Sequence, residues 1–217
     1  MDTAALFGRI FLRYFFLLGP FAVVSAFLTL TRELDPRERR RTAVRSTLAI
    51  VVICFALWLI GNQLFAVLGI TLDAFRIGAG ALLFLSGAQL VQGRDRHEAL
   101  SARGEIRRGE PPDGQDVAVV PLAIPIVVGP ATTGALLVMG AELHGWTQQV
   151  AGAAALLAAI LVVGAVFLLG SRIERALGPR GLAILTKLTG LFLASLAAQM
   201  IFTGIRNFLS LPAPARG

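Results

Sequence analysis

Two Gly-Pro pairs, Gly19-Pro20 and Gly129-Pro130, are the positions in this 217-residue chain best suited to hold a ligand. Each lies inside an apolar run long enough to cross a bilayer. Proline has no N–H and disfavours helical geometry in the residue before it. A helix interrupted there restarts at the proline, and its new first turn carries N–H groups with no intrahelical partner. The positive end of the half-helix dipole favours an anionic group such as a carboxylate. Small residues at Gly19, Ala22, Gly129 and Ala131 leave room for a small ligand. Ser25, Thr132 and Thr133 are close enough in sequence to add hydroxyl contacts, although the ordinary role of such hydroxyls is a bond back to their own helix. Pro121 and Pro125 precede the second pair in PLAIPIVVGPATTGALL. Three prolines therefore interrupt one span, where a single one costs a helix interior about 3 kcal/mol. In lipid, freed backbone groups must be satisfied by protein or a water-filled cavity, which is why broken membrane helices line binding sites.

The two pairs are 110 residues apart, and the same shift superposes Gly80 on Gly190, Leu83 on Leu193 and Ala88-Gln89 on Ala198-Gln199. This is the mark of an internal repeat. Gln199, one of the rarer residue types in the match, joins the candidate substrate-binding set with Gly19, Pro20, Ser25, Pro125, Gly129, Pro130, Thr132 and Thr133.

The elements that must position these residues follow from composition. The chain is 56% hydrophobic, against about 45–50% in ordinary globular chains. The surplus falls in six blocks near 6–30, 46–68, 74–92, 117–140, 147–170 and 186–209. The expected fold is an all-α polytopic membrane protein with six transmembrane helices. These form two three-helix repeats, residues 1–92 and 117–217, joined by a polar linker at 93–116. An odd number of spans per repeat makes the second half enter the membrane from the opposite side, so the repeats are inverted. The first and fourth helices are expected to be discontinuous, breaking near the midplane.

The net charge of +7 arises from arginines concentrated in three of the loops, not from a nucleic-acid-binding face. Arg32 to Arg45, Arg94 to Arg108 and Arg172 to Lys187 share one side of a six-span chain. The positive-inside rule makes that side cytoplasmic and puts both termini outside. Arg9 and Arg13 fall where snorkelling to the other headgroup layer is their ordinary role. The small-residue stripe Ala151, Ala155, Ala159 and glycines 78, 80 and 87 read as helix-packing positions. Cys54 is the single cysteine, so no intrachain disulfide can form. The N-terminal segment lacks the pattern of a cleaved signal and is expected to stay as the first span.

Enzyme chemistry finds no support. The single lysine, Lys187, is followed by leucine, so no Walker A loop exists. There is no Gly-x-Ser-x-Gly elbow, no zinc spacing and no acid–base pair within a span. No Asp or Glu lies deep in a span either; Asp73 and Glu142 sit near the outer ends. A coupling ion, H+ or Na+, is therefore left open, and no cofactor is expected.

PLAIPIVVGPA at 121–131 resembles the Pro-Leu-Ala-x-Pro-x-x-x-Gly-Pro-Gly signature of the MarC family of bacterial inner-membrane proteins. Phe75 to Gly80 is similar to that family's Phe-Arg-Ile-Ala-Gly-Gly, and Leu188 to Ile205 to its last span. The chain departs from the family pattern at Gly19, usually Asn, at Ala131, usually Gly, and at Thr203, often Asn. The resemblance implies a six-span inner-membrane protein, with some members assigned to transport of small neutral amino acids. Together with the Gly-Pro breaks, this gives the expected function: a secondary transporter of glycine-, alanine- or serine-like substrates, zwitterions small enough for the site. The alternatives are an exporter of other small metabolites or drugs on the same scaffold, and a non-transporting scaffold or regulator that uses the 93–116 linker as its contact surface. The expected partners are the substrate and the lipid bilayer, with no nucleic acid. Homo-oligomers are compatible with the sequence.

Overall fold

The structure is a computed structural model, and it describes residues 3–93 and 118–209. The expected linker at 93–116 lies almost wholly outside the described residues. Within them every regular element is helical: α1 (Thr3–Leu18), α2 (Pro20–Leu30), α3 (Pro36–Leu68), α4 (Leu72–Val91), a π-helical segment (Ala118–Val127), α5 (Pro130–Ala141) and α6 (Trp146–Phe208). Among the described residues, four stretches are long and apolar enough to cross a membrane: Ala4–Leu30, Pro36–Gly61, α4 and α6. Large apolar side chains such as Leu48, Val67 and Phe202 face outward, 64%, 84% and 72% exposed. A bilayer solvates such a surface; water does not.

Helix boundaries follow the prolines. α2, α3 and α5 each start on one, at 20, 36 and 130, where a missing N–H costs nothing. Pro36 carries α3 through the whole Arg37–Arg41 run, so the second helix begins ten residues earlier than its apolar block. The loop expected between residues 170 and 186 is helical instead. α6 runs for 63 residues, which would measure about 95 Å if straight. It is broken at Gly178, with φ 66° and ψ 171°, directly before Pro179. The two arms are 146–177 and 179–208.

Close helix approach sets the packing. α4 lies antiparallel to the second arm of α6. A Cβ added at Gly87 would sit 2.7 Å from the Gly190 carbonyl oxygen, and one at Gly80 would sit 3.1 Å from that of Ala197. Gly78, grouped with these by sequence, has open space around it. α3 meets α5 in the same way, Gly61 against Leu137 and Gly140 against Trp58. The stripe Ala151, Ala155, Ala159 on the first arm of α6 is buried as expected. Because backbone lies against backbone at Gly87, no side-chain adjustment can make room there. Gly87→Leu is expected to destabilise the protein by about 3 kcal/mol through overpacking, seen as a lower apparent Tm in detergent, while Gly78→Leu should be close to neutral.

Candidate functional site at the helix breaks

At the first break Gly19 adopts the left-handed conformation, φ 58° and ψ 56°. Its N–H donates to the carbonyls of Phe15 and Phe16, at 3.2 and 3.1 Å, which closes α1. Its own carbonyl accepts from Ala22 and Val23, which opens α2. No side chain caps the new helix. Gly19 and Pro20 are both buried. The atom nearest to a Cβ at Gly19 would be Thr189 Cγ2, at 3.8 Å.

The second break has a different geometry. Gly129 is extended, φ −85° and ψ 177°, and α5 starts at Pro130 without a side-chain cap. Upstream the chain is not a half-helix of α type. Pro121 and Pro125 lack N–H donors, and the Ile124–Pro125 bond is cis. The segment winds in the wider π form, as in the 2.9 Å bond from Val128 N–H to the Ala123 carbonyl. Such π turns recur at functional sites. α2 touches this segment, and residues beside both breaks (Ala22, Val23, Val128, Ala131) share one core.

A cavity of about 640 Å³ opens on the face of the basic loops and reaches Ser25 on α2. Thr29 and Thr186 add hydroxyls to its wall; Arg32, Arg39, Lys187 and Glu174 add charge. The wall is thus net cationic with one carboxylate, complementary to a carboxylate and an ammonium group on one small molecule. Thr186 and Thr189, one turn apart on the buried face of the second arm of α6, are 4% and 1% exposed. They link the cavity to Gly19. The sequence reading did not single them out, although two threonines at helical spacing just before Gly190 were visible.

The nine expected residues do not form one cluster. Of the three at the first break, Ser25 lines the cavity, and Gly19 and Pro20 are buried behind it on the same chain segment. Thr132 is fully buried, and Thr133, Pro125 and Gly129 are half-buried near the second break. None of these four lines the cavity. Pro130 is exposed. Gln199 is exposed on the side of α6 away from Thr186 and Thr189, so the structure does not bring it to either break. The buried face of that arm runs through Thr189, Gly190, Leu193, Ala197, Met200 and Gly204, and helical periodicity leaves 199 off it.

A polar network at the opposite end of the molecule was not anticipated. Arg76, its side chain 7% exposed, forms ion pairs with Asp73 and with Glu142. Its Nε and Nη2 reach Glu142 Oε1 at 3.1 and 2.8 Å. Asn207 Nδ2 donates to Asp73 at 3.1 Å. α4, the C-terminal end of α5 and the end of α6 are tied together there. Beside it, Arg13, Tyr14 and Glu142 face a small pocket, and the Tyr14 hydroxyl is buried with no hydrogen-bond partner among the described residues. The Asp73–Arg76 spacing, one helical turn, was the available signal; Glu142 is too far along the chain to pair by inspection.

The profile for "MarC family integral membrane protein" matches residues 4–209, nearly the whole chain. The chain belongs to the MarC family. Similar relatives include a UPF0056 membrane protein of Aquifex aeolicus, 30% identical over 215 residues and covering 96% of both chains. One from Methanocaldococcus jannaschii is 33% identical, covering 90% of this chain and 93% of its own. The UPF0056 membrane protein YhcE of Escherichia coli is 24% identical over 92% of this chain and 91% of its own. These names describe membrane proteins and specify no substrate. No solved structure matches the chain.

Proposed function

We propose that this MarC protein is a secondary transporter of small neutral amino acids in the bacterial inner membrane. It works by alternating access, with six membrane crossings arranged as two inverted three-helix repeats and both termini outside. The observation that carries the reading is the pair of helix restarts, at Pro20 and Pro130, with a charged cavity that reaches Ser25 on the helix starting at the first. The positive end of the half-helix dipole at each restart favours a carboxylate, and the zwitterion's ammonium finds Glu174 and hydroxyls in the cavity wall.

Contacts between the halves support the inverted repeat. A two-fold relation requires that a contact between residues i and j reappear between j − 110 and i + 110. Gly87 against Gly190 maps onto Gly80 against Ala197, and both are close backbone contacts. A Cβ at Gly80 would lie 3.3 Å from the Ile201 amide nitrogen, and this maps onto a Cβ at Gly190, which would lie 2.9 Å from that of Val91. The Phe27–Phe167 stack, 4.7 Å between ring centroids, maps onto Leu137 and Leu57, which share a hydrophobic cluster. A kink made only for packing has no need of such a counterpart, whereas alternating access around a central site does.

Binding is testable without transport. In a thermal-shift screen of the purified protein, glycine, alanine or serine at about 100 times Kd should stabilise it by about 2.7 kcal/mol. No shift across the amino-acid panel would remove this substrate class.

A further inference from the structure

The two ends of the molecule differ in a way that the 110-residue relation makes specific. On the face opposite the basic loops, α4 and α5 are shut against each other. Ala135 and Val138 have no exposed surface, and a Cβ at Gly134 would lie 2.8 Å from that of Ala79. The Arg76–Glu142 ion pair joins the two helices at the rim. On the basic face the related positions surround the cavity instead. Ser25 stands for Ala135, Leu28 for Val138, Arg32 for Glu142 and Thr186 for Arg76, and all four line it. One helix pair is closed and ion-paired, and its counterpart is open.

We propose that the Arg76–Glu142 pair is the gate on the outer face, formed while the cavity on the basic face is open and broken when that cavity closes. The matching latch on the basic face cannot copy it, because Thr186 has no charge where Arg76 has one. Arg32 on the end of α2 and Glu174 on the first arm of α6 supply opposite charges instead. Both line the cavity, and neither has an ion-pair partner among the described residues. Closure of the cavity brings Arg32 onto Glu174. Breaking the outer pair is feasible because Asp73 and Glu142 are 29% and 30% exposed, so water can take over their solvation as α5 leaves α4. Asp73, one turn from Arg76 on α4, keeps the guanidinium paired in both states.

This inference rests on the two-repeat transporter reading, and its test does not require a substrate. Met139→Cys reports on the outer face and Ala183→Cys on the cavity, each in a chain whose buried Cys54 is replaced by alanine. A membrane-impermeant maleimide is applied from each side of reconstituted vesicles. Glu142→Gln should speed labelling of Met139→Cys by about fivefold or more, the lower end of typical coupling between sites. It should slow labelling of Ala183→Cys by a similar factor. Arg32→Ala, at an exposed position that threatens no packing, should shift the reporters the other way and carries the test if Glu142→Gln does not fold. Unchanged rates in both backgrounds, or two reporters that rise together, would overturn the gate. Reciprocal labelling without amino-acid flux upholds the gate and removes the proposed substrate. Flux without reciprocal labelling removes the gate and leaves the transporter.

Discussion

Replacement of Arg76 by alanine is expected to destabilise the protein by about 3 kcal/mol, the lower end of the range for breaking a buried ion pair. The guanidinium is 7% exposed and serves Asp73 and Glu142 together. Its removal leaves two carboxylates facing one another at the junction of α4 and α5. Each is about 30% exposed, which lets water recover part of the loss and keeps the estimate from the upper end. At roughly 2–4 °C per kcal/mol for a chain of this size, Tm should fall by about 10 °C. Glu142→Gln should cost less, because Asp73 remains to pair with Arg76. If Arg76→Ala left Tm unchanged, the network would be a solvated surface feature that does not hold this face shut.

Gly19→Leu is expected to reduce flux at least tenfold, which corresponds to about 1.4 kcal/mol. Two effects combine at this position. A non-glycine residue at φ 58° costs roughly 1–2 kcal/mol. The side chain would also point toward Thr189, into space that a Cβ alone fits, with its nearest neighbour at 3.8 Å. Gly69 separates the two effects, because it too has a positive φ, 65°, with nothing within 4 Å. Gly69→Leu carries the same backbone cost in an exposed loop and should leave flux nearly intact. Equal losses in the two variants would mean that the first break matters only for folding.

The positions of both breaks were legible because proline's missing N–H is a local fact that no tertiary contact overrides. The helices do start at Pro20 and Pro130. The geometry upstream of Pro130 was not legible. Pro121 and Pro125 rule out a regular α ladder, but the choice of the π form depends on how Leu122, Ala123 and Ile126 pack into the core. The early start of α3 leaves no mark in the apolar pattern, because the helix begins at Pro36 in a run of arginines. Gln199 stood in the expected set through the 110-residue sequence match, and such a match does not say which face of a helix a residue occupies. The Arg76 network escaped because Glu142 is 66 residues and Asn207 some 134 residues from its partner. Long-range pairing of that kind is a property of the packed chain. Thr189 belongs to the same class: only the fold places it beside Gly19.

Passage of substrate between the two breaks can be read by counterflow in proteoliposomes. Vesicles loaded with unlabelled alanine, glycine or serine should accumulate the labelled amino acid transiently and saturably. Gly19→Leu vesicles should not, and Gly69→Leu vesicles should behave like the parent protein. An absence of saturable counterflow across a broad amino-acid panel, from protein shown to be folded, would contradict passage of amino acids between the breaks.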